Sequence, residues 1–390
     1  MNRDPIVIGG GGCAGLSLAV HLLEAGVDDR PIILIEPRTD YVRDRTWCLW
    51  ALEPHPFSAC VRHRWHRWRV AAPIANGETI ASSAAYAYEH IPADVFYDEA
   101  LARLRAAPNV TLRLGERVLD VDAGAQHVDV RTDSDDVLRA DLFFDSRPPT
   151  PTPGALLQHF RGWFVRADAP VFDPTTATLM DFQPTDDPSE IRFAYLLPFS
   201  AREALVEMTC ISTRPHASAV YDAAIRAYLD RAYGLRDVTV TGEESGVIPM
   251  TLGLGARARR QRRQQPGRAV PIGTPAGCVR ASSGYAFLAI QRTSAHLARA
   301  VRAGVPPTPP RAWRRRARFL DRVFLSFLRH RPERAPAMFA AMFRRVPADH
   351  LVRFLADSDT PRDLLDVIWA MPKADFTREW LRTLRHTAPA

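Results

Sequence analysis

Three glycines near the amino terminus have the spacing that nucleotide binding requires. Gly10, Gly12 and Gly15 form a G-x-G-x-x-G pattern, preceded by the apolar run 5–8 and followed by a helical pattern over 16–25. Such glycines permit a tight turn, let backbone N–H groups approach a pyrophosphate and allow a helix to pack closely on a sheet. The N-terminus of that helix offers unpaired donors and a positive dipole to phosphates. This stretch therefore predicts a dinucleotide site.

An acid and two small residues complete the pattern. Glu36 closes the next apolar run, 31–35, where a carboxylate accepts hydrogen bonds from ribose hydroxyls. Cys13 and Ala14 lie inside the turn, where little space is left for side chains. We interpret Cys13 as a packing residue rather than a reactive thiol. A glycine-rich turn that binds no ligand is the alternative interpretation.

Other residues along the chain are candidates for the same site. Arg45 follows the second strand soon enough to reach back to a pyrophosphate. Asp145 ends an apolar run over 138–145, and ligands of open α/β sheets lie beyond the carboxyl ends of the strands. A last short strand over 269–273 leads through Gly273 and Gly277 to a helical pattern over 286–303, a return that is typical of flavin domains closing over their cofactor.

Composition limits the class of protein. The 390 residues suffice for two or three domains, and 46% hydrophobic and 24% charged residues are typical of globular proteins. No apolar run approaches the roughly 20 residues needed to span a bilayer, and the first strand begins too early for a signal peptide, so we expect a cytoplasmic protein. The five cysteines form no C-x-x-C pair, which predicts neither a metal site nor a disulfide framework.

The net charge of +7 comes almost wholly from arginine. Nothing resembles a nucleic-acid-binding module, so no nucleic-acid partner is expected. Two arginine clusters are candidates for anionic lipid headgroups or a nucleotide phosphate, or are simply solvated loops. Their members are Arg257, Arg259, Arg260, Arg262, Arg263 and Arg268, and then Arg311, Arg314, Arg315, Arg316 and Arg318.

Periodicity predicts an α/β protein with two further parts. Alternating runs at 163–166, 177–182, 192–197 and 204–211 predict an antiparallel sheet, followed by a helix over 217–233 and a turn over 242–246. Beyond residue 310 the pattern is helical, with a helix start at Thr360. We predict a discontinuous dinucleotide-binding domain (1–75, 105–150 and 265–305), a substrate domain (76–104 and 151–264) and a helical region (306–390).

Several motifs in order resemble the bacterial lycopene beta-cyclases, which are flavin-dependent enzymes that form carotenoid rings. The resemblance covers nearly the whole chain. The matching segments are 10–19, 44–50, 145–148, 157–163, 171–174, 177–182, 207–209, 246–249, 283–287 and 319–325.

The resemblance implies FAD held in a glutathione-reductase-like fold, with NAD(P)H keeping the flavin reduced. It implies a redox-neutral reaction in which an acid protonates the terminal double bond of lycopene, the 5,6 double bond attacks the cation, and proton loss leaves a beta-ionone ring. Glu207 matches the residue that the family uses as the acid, but Met208 stands where the family usually has a second acid. Lycopene or a related polyene is the implied substrate, drawn from the inner face of a membrane with which the enzyme associates peripherally.

Two other functions fit parts of the same pattern. A flavin monooxygenase or halogenase would share the fold, although such hydroxylases usually carry a Gly-Asp pair where Gly273 is followed by Thr274. A flavin-binding membrane-surface protein without turnover would require Glu207 to face solvent. Strand alternation places Leu205, Glu207 and Thr209 on one face and leaves that choice open.

Overall fold

The computed structural model describes residues 4–72, 77–149, 153–253 and 268–385. The strands in these ranges are β1 (Ile6–Gly9), β2 (Ile32–Glu36), β3 (Thr46–Trp50), β4 (His63–Trp65), β5 (Arg67–Ala72), β6 (Gly77–Ser82), β7 (Tyr88–Pro92), β8 (Val110–Leu114), β9 (Val118–Ala123), β10 (Val128–Thr132), β11 (Val137–Ala140), β12 (Leu142–Asp145), β13 (Leu156–Arg166), β14 (Thr176–Gln183), β15 (Ile191–Pro198), β16 (Glu203–Ser212), β17 (Thr239–Met250) and β18 (Ala269–Pro271). The α-helices are α1 (Cys13–Glu24), α2 (Ala93–Ala106), α3 (Ser218–Tyr233), α4 (Phe287–Arg302), α5 (Arg315–His330), α6 (Ala335–Arg345), α7 (Ala348–Leu355), α8 (Pro361–Ala370) and α9 (Lys373–Arg385).

A five-stranded parallel sheet carries the glycine motif. Its strand order is β18-β12-β1-β2-β8, with β1 at the centre. Ile6, Val7 and Ile8 of β1 are fully buried because α1 and α4 cover one face of the sheet and the small sheet β11-β10-β9 covers the other. A strand that is buried on both faces needs apolar side chains at successive positions, and β1 has them.

A seven-stranded sheet forms the second part of the molecule, in the order β17-β13-β16-β15-β14-β5-β6. Along β16, Leu205 and Ile211 face the core that the C-terminal helices cover, whereas Val206, Met208 and Cys210 face a core closed by α3. The period-two alternation of a strand therefore decides which β16 side chains meet the C-terminal helices.

The chain after residue 310 is helical, as predicted. Apolar side chains of α5, α6 and α8 pack on the seven-stranded sheet. At the start of α8 the Thr360 hydroxyl accepts from the Asp363 N–H at 3.3 Å, and the Asp363 carboxylate accepts from the Thr360 N–H at 2.8 Å. This reciprocal capping box, with Pro361 in the first turn, confirms the predicted helix start.

The structure corrects four sequence predictions. Residues 242–246 do not form a turn, because they lie inside the long strand β17 paired with β13. The run 138–145 is two strands in two sheets, β11 and β12. Residues 67–72, which the prediction assigns to the dinucleotide domain, form strand β5 of the seven-stranded sheet. Residues 93–104, which the prediction assigns to the substrate domain, lie in α2 and pack in the core of the parallel sheet.

The structure describes part of the two predicted arginine clusters. Arg257, Arg259, Arg260, Arg262 and Arg263 lie outside the described residues. Arg268 pairs with Asp141, and Arg316 lies 2.6 Å from Asp359. These two arginines are therefore engaged in ion pairs within the protein.

Candidate active site

One cavity of about 1710 Å³ connects the parallel sheet to the C-terminal helices. It begins at the carboxyl end of β1, passes along the face of the seven-stranded sheet that carries Glu207, and continues between α5, α6, α8 and α9. We call its two chemically distinct parts the nucleotide end, around Gly12 and Glu36, and the acid end, around Glu207. Its length suits a long ligand.

Backbone geometry makes the nucleotide end. Gly10 has a φ of +98°, which favours glycine, and Gly12 is the residue that precedes the first turn of α1. Gly12 lines the cavity, and outside its own stretch of chain no described atom lies within 4 Å of a Cβ built on it. The N-terminus of α1 has no capping side chain, so its first N–H groups and its dipole are available to an anion. The residues present fit a pyrophosphate.

Glu36 occupies the position expected of a ribose acceptor. It is buried, lines the cavity and accepts hydrogen bonds from the Gly11 N–H at 2.6 Å and from Arg38 Nε at 2.7 Å. The Arg38 guanidinium lies 4.6 Å from the centre of the Tyr41 ring. These contacts fix the carboxylate at the end of β2, where two oxygens leave acceptor capacity for ribose hydroxyls.

The structure brings most of the predicted nucleotide residues to the cavity. Gly10, Gly12, Cys13, Ala14, Glu36 and Arg45 line it. Burial raises the pKa of the Cys13 thiol to about 12, which is the behaviour of a packing residue rather than a reactive one. The Arg45 side chain is about half exposed, with its Nε 3.9 Å from Asp44, and it is free to turn toward a phosphate.

Four predicted residues act behind the cavity wall instead. Asp145 does not line the cavity, because Arg147 holds its carboxylate through Nε and Nη2 at 2.9 and 2.8 Å. Arg147 and its neighbour Ser146 face the cavity in its place.

The other three residues behind the wall are glycines that allow close packing. A Cβ on Gly15 would overlap the Gly10 carbonyl oxygen, and one on Gly273 would lie 2.6 Å from the Ala14 Cβ. Gly277 has a φ of +82° in the turn that leads toward α4. These positions shape the site without contacting a ligand.

Glu207 lies at the acid end, on β16, and is 7% exposed. Its Oε1 accepts a hydrogen bond from the Thr209 hydroxyl at 2.5 Å, which fits two side chains on one face of a strand. Burial raises the pKa of Glu207, and the neighbouring carboxylate of Glu244 raises it further, against the smaller opposing effect of the Thr209 bond. Glu207 is therefore a buried acid that lines the cavity, and its environment favours the protonated form. The interpretation of Glu207 as a solvent-facing carboxylate is wrong.

Aromatic side chains surround this acid. Tyr195 is the cross-strand partner of Glu207 on β15, and its hydroxyl lies 3.0 Å from that of Tyr88, which in turn lies 3.1 Å from that of Tyr285. The Trp50 ring centre is 4.5 Å from that of Tyr88. We call these four residues the aromatic wall; all of them line the cavity. Their ring faces carry negative electrostatic potential and stabilise a nearby cation.

Sequence reasoning missed a second buried acid. Glu244 lies on β17, is 5% exposed and accepts a hydrogen bond from the Thr46 hydroxyl at 2.8 Å. In the register, Gly162 of β13 pairs with Glu207 on one side and with Glu244 on the other. A strand prediction over 242–246 would have indicated which face of the sheet carries Glu244. The register across β13, which brings the two acids together, cannot be read from the sequence.

The sequence profile of the family described as "Lycopene cyclase protein" matches residues 4–380. The chain belongs to the lycopene cyclase family. No curated protein sequence matches it. Among solved structures it resembles a geranylgeranyl bacteriochlorophyll reductase-like protein from Thermoplasma acidophilum (12% identity, 97% of this chain and 98% of that chain, TM-score 0.61).

Two other similar structures are flavoenzymes. The flavin-dependent brominase Bmp2 has 13% identity, coverage of 99% of this chain and 100% of that chain, and a TM-score of 0.60. HpxO from Klebsiella pneumoniae, solved with FAD, has 14% identity, coverage of 95% and 100%, and a TM-score of 0.58. At such identities the likeness shows the fold alone. The match to the lycopene cyclase family indicates an enzyme.

This lycopene cyclase family member has Met208 where the resemblance implies a second acid, and the structure shows where that side chain lies. Met208 is 1% exposed and packs with Val206 and Cys210 on the face of β16 that α3 covers. A side chain at this position therefore points away from the cavity. Glu207 lies on the opposite face of β16, toward the cavity.

Asp181, another acid of the seven-stranded sheet, is held by an arginine and a tyrosine. Its Oδ2 accepts from Arg69 Nη1 at 2.9 Å and from the Tyr228 hydroxyl at 3.2 Å, and it does not line the cavity. These contacts and its place outside the cavity leave Asp181 no position from which to contact a ligand there.

Among the described residues, one group of metal-capable side chains lies away from the cavity, at Glu190, Cys210 and His216. Arg192 Nη2 lies 2.7 Å from Glu190, and His216 contacts the other carboxylate oxygen. Glu190 already has partners at both carboxylate oxygens, and the positive charge of Arg192 beside it opposes binding of a metal cation. We interpret this group as an ion-pair network.

Proposed function

We propose that the protein is a lycopene beta-cyclase, which closes the ends of lycopene into beta-ionone rings to give gamma-carotene and beta-carotene. The observation that carries the proposal is the buried acid Glu207, which faces an aromatic-lined cavity that starts at a dinucleotide fingerprint. Protonating an alkene requires a strong donor in a dry site, and a neutral carboxylic acid among apolar neighbours meets that requirement. Family membership supports the choice of a carotenoid.

The reaction would use the residues of the acid end as follows. The Glu207 carboxyl transfers its proton to the terminal 1,2 double bond, which leaves a tertiary cation. The 5,6 double bond attacks that cation and closes the ring, and loss of a proton from C6 forms the ring double bond. The aromatic wall would stabilise both cations, and the apolar lining would keep out the water that would quench them.

The rest of the cavity suits the polyene chain. Beyond the acid end it is lined by apolar side chains of the C-terminal helices, namely Phe319, Val323, Phe324, Phe339, Met342, Phe343, Val367, Ile368 and Phe376. Such a lining offers no hydrogen-bond partner and binds a hydrocarbon by burying its surface.

FAD is the cofactor that we propose for the nucleotide end. Gly12 and the N-terminus of α1 would hold the pyrophosphate, Glu36 the ribose, and Arg45 would approach the phosphates. Reduced FAD, when bound, would supply an electron-rich ring system able to stabilise a developing cation. We propose NAD(P)H as its reductant, required to keep the flavin reduced but not consumed in proportion to product.

The test is expression in cells that accumulate lycopene, followed by analysis of the pigments. Conversion to gamma- or beta-carotene is expected. Unchanged lycopene, with the protein soluble and loaded with flavin, would remove the proposal. An oxygenated or halogenated product would instead support the monooxygenase or halogenase alternative, which fold similarity alone permits.

We also propose that the enzyme takes its substrate from the cytoplasmic face of a membrane. No helix among the described residues is long and apolar enough to cross one. The cavity reaches Ile368 and Trp380, which are 43% and 45% exposed, and neighbouring apolar side chains are exposed as well. We call this surface the apolar mouth; its further members are Leu365, Trp369, Leu381 and Leu384.

Charge around the apolar mouth favours an anionic bilayer as its partner. Arg362, Lys373, Arg378 and Arg385 are exposed on α8 and α9, and Lys373 Nζ lies 4.0 Å from the centre of the Trp369 ring. Tryptophan and basic residues together are typical of helices that lie in a membrane interface. A water-insoluble substrate would then pass from the bilayer into the cavity.

Vesicle flotation tests this surface. The protein should float with vesicles that contain anionic lipid at low salt, and the double variant Trp369→Ser and Trp380→Ser should float less. The exposed Val137→Ser, on the remote strand β11, serves as the matched control and should float as the parent does. Failure of the parent protein to float, or equal flotation of the double variant, would refute the proposal.

A further inference from the structure

Glu207 and Glu244 form a pair of buried carboxyl groups across a glycine. Both are register partners of Gly162, on opposite sides of β13. A Cβ on Gly162 would lie 3.3 Å from the Glu207 Cβ and 2.9 Å from a Leu205 methyl carbon. The glycine therefore leaves the space between the two strands to the two acids.

The groups that face each acid are different. On its β17 side, Glu244 is close to the segment 43–46, where Arg43 and Arg45 favour its ionised form, Asp44 opposes it, and the Thr46 hydroxyl donates to it. On the Glu207 side, the neighbours from β3, β7, β15 and the 280s turn are neutral groups, namely Cys48, Tyr88, Tyr195 and Tyr285, whose pKa values burial raises.

Ionising either carboxyl group of this buried pair opposes ionising the other, so the two groups titrate as a pair. Arg43 and Arg45 favour the ionised form of Glu244, so the negative charge of the pair resides on Glu244. Glu207, which has neutral neighbours and a single hydroxyl donor, keeps the proton. The asymmetry of the surroundings thus assigns one role to each acid.

We propose that Glu244 is a positioning residue whose negative charge keeps the proton on Glu207, on the side of the pair that faces the cavity. This inference rests on the proposed cyclase function and deepens it.

The proton balance of ring closure is consistent with this role. Glu207 loses its proton to the substrate alkene and becomes a carboxylate beside an ionised Glu244. Repulsion between the two charges favours the return of a proton, and the proton that leaves C6 supplies it. One proton is given and one is recovered, so the pair ends each cycle as it began, without an external acid.

The test is the pH dependence of kcat/KM for lycopene turnover in the parent and in Glu244→Gln. The amide removes the neighbouring charge, so the pKa of Glu207 falls and the alkaline limb of the profile moves to lower pH, by about one unit or more. Glu243→Gln is the matched control, because Glu243 is adjacent on β17 but half exposed and paired with Arg161 at 2.7 Å. Its profile should match that of the parent.

Each outcome distinguishes the inference from the function on which it rests. If the parent enzyme does not cyclise lycopene, the proposed function fails. If it does, and the alkaline limb of Glu244→Gln coincides with that of the parent, only the role of Glu244 fails. Should Glu244→Gln not fold, Glu244→Asp retains a more distant charge and should move the limb in the same direction by less. A limb that does not move in this variant would equally overturn the inference.

Discussion

The two ends of the cavity are built in opposite ways. The nucleotide end comes from one continuous stretch of chain between Gly10 and Glu36, and it acts through backbone N–H groups and a helix terminus. The acid end draws Thr46, Gly162, Glu207 and Glu244 from four strands far apart in sequence, and it acts through buried side chains. One end depends on the absence of Cβ atoms, and the other depends on burial.

This difference implies different consequences of substitution. At the nucleotide end, an added side chain blocks the ligand without removing any side-chain group from the protein. At the acid end, changing one atom of a carboxyl group removes a proton donor but leaves the shape of the cavity unchanged. Substitutions at the two ends should therefore separate cofactor binding from turnover.

The largest effect is expected at the acid end. Glu207→Gln keeps the size and polarity of the side chain but removes the acidic proton. Turnover of lycopene should fall by about two orders of magnitude or more, since general acid catalysis contributes on the order of 10²–10⁴-fold. Flavin content, measured by absorbance of the purified protein, should not change.

Glu203→Gln is the matched control for this variant. Glu203 lies at the start of the same strand but is 44% exposed and pairs with Arg166 at 2.8 Å. It should turn lycopene over at the parent rate. Parent-like turnover by Glu207→Gln would place the acid elsewhere, and lost flavin in that variant would show that the two ends are not independent.

The second effect concerns the nucleotide end. Gly12→Val places methyl groups in the space that the pyrophosphate would occupy, and outside the local stretch of chain no described atom lies within 4 Å of the new Cβ. The variant should therefore fold, as judged by circular dichroism, but should be purified with little or no FAD. Gly15→Val should instead fail to fold, because its Cβ would overlap the Gly10 carbonyl oxygen.

These two variants together sharpen the comparison. Full flavin occupancy in Gly12→Val would mean that the glycine pattern is not the pyrophosphate site. A well-folded Gly15→Val would mean that the close approach of α1 to β1 is not required. Either result would break the claim that the nucleotide end depends on missing side chains.

The same contrast explains what the sequence could predict. The strand, glycine turn and helix around Gly12 are local, so spacing alone located them. The family motif identified Glu207 as the candidate acid. Its burial and its position across β13 from Glu244 depend on the strand order β16-β13-β17, which no local sequence pattern encodes. Strand β17 was mistaken for a turn because Gly242 and Gly246 weaken the strand pattern. In the structure, Cβ atoms there would press on Phe164 and Phe160 of β13.

The smallest effect is expected at the start of α8, where neither Asp363 nor Arg353 lines the cavity. The Asp363 carboxylate accepts from Arg353 Nε and Nη2 at 2.9 and 2.7 Å and from the Thr360 N–H. The Arg353 bonds hold the pKa of Asp363 well below its usual range. Asp363→Asn should lower the free energy of unfolding at pH 7 by about 1.5–3 kcal/mol, the range for hydrogen bonds to charged groups, with parent flavin content.

The pH dependence of the stability lost in Asp363→Asn shows whether the ionised carboxylate is its cause. A carboxyl group whose pKa is lower in the folded than in the unfolded protein stabilises the fold above its unfolded pKa of about 3.9. That contribution is lost as the pH falls through the folded value. The difference in denaturant midpoint between the parent and Asp363→Asn should therefore be full at pH 7 and shrink below about pH 4.

Asp366→Asn provides the control on the same helix. Asp366 is 34% exposed, and its ion-pair contact among the described residues is with His350 at 2.6 Å. Asp366→Asn should therefore lower the free energy of unfolding by less than Asp363→Asn does. A difference for Asp363→Asn that stayed constant down to acid pH would show that packing, not the ionised carboxylate, holds the start of α8. Loss of flavin in that variant would show that the C-terminal helices support the nucleotide end as well as the substrate channel, which would remove the separation between the two ends.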